Sequence, residues 1–294
     1  MPSQTPAVEA VTRLAELPGI PEQVDAAREA CTRLRWHEAL RRRIPEAAAE
    51  SRVRGAVASG ELEGATVPLD VVRDIARGAS TWSVDPDPVE RTMRGVLAAT
   101  AETEHVVRIA LTAPLQALAR LHTAAASGLV DDAALGRPRL PGEDAHELTD
   151  LGPAVDAGDV ASRLRAVSDV LLAMPRLPVV VAAAVVHAEL ATVRPFVRGN
   201  AVVARALDRA VVQAGGLDPT GVAVTEAGHA AGGGAAYLGA LTAYGRGDVA
   251  GVGLWISHCC TAVRAAAAEG ERVADAVRAG RLAPDPLSGR GPEE

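Results

Sequence analysis

Arg194-Pro195-Phe196-Val197-Arg198-Gly199-Asn200-Ala201-Val202-Val203-Ala204-Arg205 is the stretch on which the fold turns, and it holds the only phenylalanine and the only asparagine of the chain. Upstream of it, Val179 to Thr192 is apolar nearly all round, which predicts a central buried helix. That helix must stop before Pro195, whose ring pushes Arg194 toward extended conformations. A second helix begins near Gly199 and Asn200 and stops at Gly215 and Gly216, a glycine pair suited to a C-terminal cap. The result is helix, proline-stiffened turn, helix, and the first free amides of the second helix belong to Gly199, Asn200 and Ala201. Such amides form an anion site, and a glycine among them lets a ligand approach the backbone. Arg194, Arg198 and Arg205 reach the same end, and arginines gathered there point to a phosphate or carboxylate guest.

The composition bounds what chemistry this turn can serve. In 294 residues there are 30 basic and 37 acidic side chains, for a formal charge of −7, and every basic one is arginine. Without lysine there is no Schiff-base nucleophile, no pyridoxal-phosphate anchor and no P-loop. The Ala, Val, Gly, Arg and Pro bias is that of a GC-rich, bacterial coding sequence. The acidic balance argues against nucleic-acid and anionic-membrane partners. Cys31, Cys259 and Cys260 are too few and too badly spaced for a disulfide framework or zinc site, and the adjacent pair reads as core. With neither a leader nor a membrane-length apolar run, a cytoplasmic protein is expected.

Elsewhere the pattern is helical, with apolar residues at three- and four-residue spacing and breaks at Pro or Gly clusters. It predicts an all-α fold with three parts: an N-terminal helical extension over 1–88, a core over 89–281 and a disordered tail over 282–294. Helices are expected over Val89–Ala110, Pro114–Ser127, Val160–Ala173, Ala235–Ala243 and Val249–Ala268. A loop is expected over Thr81–Pro88, a Gly-rich link over Thr220–Gly234, and a connection between Leu129 and Pro153 long enough to suggest function. His122, His229 and His258 have no acid or cysteine at metal-ligand spacing and read as structural or surface residues.

The turn resembles the signature of the Fic (Fido) family, His-Pro-Phe-x-Asp/Glu-Gly-Asn-Gly-Arg-x-x-Arg, with Pro195, Phe196, Gly199, Asn200 and Arg205 in register. Leu121-His122, Gly136 and Arg139 resemble the pattern before that family's flap, and Tyr237 to Val263 resembles its closing helices. Ser59-Gly60-Glu61-Leu62-Glu63-Gly64 is similar to the inhibitory-helix motif that precedes many such domains. The resemblance implies a Fic-like helical core that binds ATP or another phosphate-bearing ligand, with Ser59 and Glu63 as the inhibitory pair and Glu63 set against Arg205. The plainer reading of Ser59 is a helix cap.

The departures from the signature fall on its chemistry. Arg194 stands where the family keeps its catalytic histidine, and an arginine cannot act as a base. Arg198 replaces the metal-holding acid, and no metal is expected in this chain. Ala201 and Val202 replace a glycine and an arginine, and Leu140 to Gly152 is a short, acidic flap in place of a β-hairpin. Losing a base alone costs about two to four orders of magnitude in rate. The expectation is a catalytically impaired relative of protein AMP-transferases that binds a nucleotide or other anion, or a protein partner, through Arg194, Arg198, Gly199, Asn200, Ala201 and Arg205. Two alternatives stay open. One is an active, metal-independent transferase using His187, two turns before Arg194, as substitute base; the bland reading of His187 is a core histidine. The other is a scaffold with a vestigial site. The oligomeric state is open.

Overall fold

The computed structural model describes residues 5–282. Among the described residues twelve α-helices follow in order: α1 (Pro6–Leu14), α2 (Ile20–Arg35), α3 (Ile44–Leu62), α4 (Leu69–Ala76), α5 (Pro88–Val106), α6 (Pro114–Ala126), α7 (Ala157–Ala173), α8 (Val179–Val193), α9 (Asn200–Ala214), α10 (Thr225–Ala230), α11 (Gly234–Gly245) and α12 (Val249–Arg278). No strand occurs among the described residues; a single isolated bridge joins Ser127 and Val130. The all-α expectation holds.

Local chemistry sets the helix starts. Proline occupies the first turn of α1, α2, α3, α5 and α6, where its missing N–H costs nothing. Asp87, Asp156 and Asp248 cap α5, α7 and α12 by accepting a backbone N–H two or three residues on. The centre is α8, which has no polar face and is covered by α7, α9, α11 and α12. Some helix crossings bring backbones into contact through glycine. A Cβ on Gly95 would sit 2.1 Å from the Ala125 carbonyl oxygen, and one on Gly228 equally close to that of Ala262. These contacts draw α5 onto α6 and α10 onto α12.

Four sequence expectations change. The Gly-rich link over 220–234 contains α10, because Thr225–Ala230 buries Glu226 and His229 against the core. The last long helix runs ten residues beyond Ala268, to Arg278, since Val273, Ala274 and Val277 continue its buried stripe. Ser59 caps nothing; it lies in the last turn of α3, and Glu63 is the residue that ends the helix. Arg194 is not extended but left-handed, at φ 49° and ψ 66°. The expected disordered tail lies, apart from Leu282, outside the described residues. By length and mean hydropathy (1.2) α12 alone among the described helices passes as a membrane span, yet it packs against α2, α8, α10 and α11.

Candidate functional site: a self-occupied anion pocket

The turn between α8 and α9 is built from its own polar atoms. Asn200 Oδ1 accepts from the Phe196 N–H at 2.8 Å, and Asn200 Nδ2 donates to the Phe196 carbonyl, also at 2.8 Å. The lone Asn therefore staples the lone Phe, whose ring stacks on His122 at 4.0 Å between centroids. Gly199, at φ 84°, supplies the left-handed step that lets α9 start with its amides open. The first turn of α9 has no acid of its own to meet the positive end of the helix dipole.

That end is met by a carboxylate from the loop between α6 and α7. Glu147 Oε1 accepts from the Asn200 N–H at 2.6 Å and from Asn200 Nδ2 at 2.5 Å, while Oε2 accepts from the Gly199 N–H at 3.0 Å. The pocket read from the sequence as an anion site thus holds an internal anion. Burial pushes the Glu147 carboxyl above its ordinary 4.5 despite these donors, and the neighbouring Glu63 adds to the rise. Glu147 escapes a sequence reading because it lies more than fifty residues from the amides it fills, in a segment with no regular pattern.

Arg194 and Arg139 hold that loop in place. Arg194 Nη1 donates to the carbonyls of Glu147 (3.2 Å) and Leu148 (3.0 Å), and Nη2 to that of Gly152 (2.5 Å). Its Nε is buried without a partner. Arg139 donates through Nε to the Arg194 carbonyl at 2.8 Å and through its other nitrogens to those of Glu143 and Val155. The only positive-φ residues other than glycine among the described residues, Arg194 and Leu148, meet at this junction. Such conformations cost about 1–3 kcal/mol each, so strain is concentrated where the loop closes on the turn.

The sequence-predicted arginines therefore separate. Arg194 faces the loop carbonyls. Arg198 is exposed beside a groove of about 800 Å³ bordered by Val130, Asp131, His146 and Val197. Arg205 is buried: its Nε donates to Ser59 Oγ at 2.9 Å and its Nη2 to Glu63 Oε1 at 2.5 Å, with Tyr237 stacked beneath at 5.9 Å. Ser59, Glu63 and Arg205 come together as the motif resemblance implies. Ala201 is fully buried behind the turn.

His122 anchors the other flank: Nδ1 accepts the Gly136 N–H at 2.9 Å and Nε2 faces the Arg198 carbonyl at 3.1 Å. Burial, opposed by the Arg198 carbonyl and aided by Arg137, lowers it from 6.5 to about 4. A histidine whose folded value is depressed contributes stability that is full above its unfolded value and is lost as pH falls through 6.5 toward 4. Each pKa unit is about 1.4 kcal/mol, and relaxation of the turn leaves an expected loss of about 1–2 kcal/mol over that window. Urea denaturation at pH 7 and pH 4 checks it: His122→Gln should show a smaller drop than the parent, and equal drops would refute the assignment.

His187 is in the core, 1% exposed, with Nε2 2.8 Å from Tyr237 Oη. His229, which sequence spacing left without an acid, sits with Nε2 3.2 Å from Asp208 Oδ2, the two carried by different helices.

No family model matches the sequence, and no curated protein does. Solved structures match it in shape. A Fic family protein from Desulfovibrio desulfuricans G20 superposes with a TM-score of 0.64 over 97% of this chain and 78% of that one, at 19% identity. Fic-1 (residues 134–508) from C. elegans gives 0.62 over 93% and 84%, at 18% identity. A Fic domain containing signaling protein from Bacteroides thetaiotaomicron VPI-5482 gives 0.60 over 86% and 98%, at 12% identity. The chain has the Fic fold.

Proposed function

We propose that this Fic-fold chain has lost AMP transfer and acts as a gated nucleotide- or anion-binding regulatory protein whose pocket is closed by its own carboxylates. The observation that carries the reading is the Glu147 carboxylate on the Gly199 and Asn200 amides, with Glu63 on Arg205 beside it. Two neighbouring anions occupy donors that would suit a ligand with two charged groups. The donors are complete and the strained contact at Arg194 and Leu148 gives the closure a reason to open.

Chemistry on the opened pocket lacks two parts. Arg194 carries a permanent charge and accepts no proton. Arg198 sets a cation where nucleotide-bound Mg²⁺ would need an acid. Phosphoryl-type transfer rests on positioning and charge neutralisation, and a fixed guanidinium supplies only part of the latter.

Incubation of the purified chain with labelled ATP and Mg²⁺ or Mn²⁺, with and without a lysate as acceptor, tests the reading. No label should enter protein, either in the parent or in Glu63→Gly. Label transfer abolished by Asn200→Ala would overturn the loss of activity, and transfer without metal abolished by Arg194→Ala would identify a rewired transferase instead.

A further inference from the structure

We propose that His187, Asp208 and His229 hold a divalent transition-metal ion of the zinc class in the core between α8, α9 and α10, a site separate from the anion pocket and independent of its function. One donor atom from each lies within 4.8 Å of the other two. All three side chains are buried, at 1%, 8% and 3% exposure.

Without a metal the cluster is left with two defects. His187 Nδ1 is buried with no hydrogen-bond partner, a condition that costs about 1–3 kcal/mol. The Asp208 carboxylate lies in the interior with His229 as its one side-chain partner among the described residues. Its helical neighbours Arg205 and Arg209 are committed elsewhere, to Glu63 and to Glu226. A divalent cation relieves both: it takes the spare nitrogen and balances the carboxylate.

The remaining contacts are those that metal-bound histidines make. With Nδ1 on the ion, the Nε2–H of His187 donates to Tyr237 Oη, 2.8 Å away. With Nε2 of His229 sharing the ion with Asp208 Oδ2, its Nδ1–H points to His258 Nε2 at 3.5 Å. Outer partners of this sort fix the tautomer and orientation of the ligands. Two imidazoles and a carboxylate suit Zn²⁺ and its neighbours and suit Mg²⁺ or Ca²⁺ poorly. A cavity of about 10 Å³ bordered by Asp208 and His229 leaves room for one water beside those two ligands. A site so buried is structural, pinning three helices to one another.

The test is metal content per chain after purification, followed by titration of Zn²⁺ or Co²⁺ into the full chain stripped with a chelator. Expected are one equivalent bound, a rise in Tm with Zn²⁺, and a visible Co²⁺ spectrum of low coordination number. Asp208→Asn should abolish stoichiometric binding. Tyr237→Phe, which keeps the ring and so the packing, should weaken affinity by about 10–100-fold. A folded parent with no stoichiometric metal and no Tm response to either ion overturns the proposal, as does unchanged binding in Asp208→Asn.

Discussion

Glu226→Gln is expected to lower stability by about 3–5 kcal/mol. Arg209 and Glu226 form a two-pronged ion pair at 4% and 1% side-chain exposure, with Nε to Oε1 at 2.9 Å and Nη2 to Oε2 at 2.6 Å. Burial alone would raise the Glu226 carboxyl, but the Arg209 charge and hydrogen bonds pull it below its usual value. Removing one charge leaves the other desolvated and unpaired, which is where the quoted cost arises. The same guanidinium donates to Ser51 Oγ and to the Ser51 carbonyl, and so ties α9 and α10 to α3. Gly55 makes room for it: a Cβ there would lie 2.5 Å from Arg209 Nη2. Urea denaturation reads the effect directly. The double change Arg209→Met with Glu226→Leu should recover most of the loss, since an apolar pair of similar volume leaves no stranded charge. A loss below about 1 kcal/mol in Glu226→Gln would show that the pair is not what holds α3.

Glu147→Ala is expected to tighten binding of ATP or inorganic phosphate by about 10–100-fold over the parent, measured by calorimetry. A pocket that is open only part of the time binds with an affinity reduced by the open fraction. Charge-assisted hydrogen bonds contribute about 1.5–3 kcal/mol each before the cost of burying the carboxylate and the strain at Leu148 are set against them. A net closure of about 1.4–2.7 kcal/mol corresponds to the stated range. Hydrogen exchange should rise together with affinity in the segment 140–152, because Glu147 is the side chain that pins this loop to α9. Glu63→Gly should add a further gain by freeing Arg205, which is fully buried and has Ser59 as its remaining polar partner on α3. No binding heat from either ligand in the parent or in the two variants would leave the scaffold reading in possession, with the carboxylates as permanent parts of the core.

Much of the architecture was legible because helices declare themselves locally. The unbroken apolar face of α8, the prolines at helix starts and the glycines after α9 each follow from spacing within a few residues. The pairing of Ser59 and Glu63 with Arg205 was legible only through the motif resemblance, since the partners are 142 and 146 residues apart. The left-handed Arg194 ran against the rule for residues before proline. Its φ is fixed by contacts with the loop carbonyls, and no neighbour in sequence announces them.

The sequence by itself determined the helical character of the chain, the turn that opens the α9 amides, and the arginines at positions 194 and 198, where the resemblance to the Fic signature implies a histidine and an acid. These depend on residue identity and short-range geometry. Only the tertiary structure decided what fills the pocket and what lies beneath it. Glu147 reaches the amides from an aperiodic loop, and Asp208 meets His187 and His229 from a different helix. The reason is that an anion hole and a ligand cluster are defined by the convergence of side chains in three dimensions. Periodicity along a helix reports which face is buried, but not which distant charge will be buried against it.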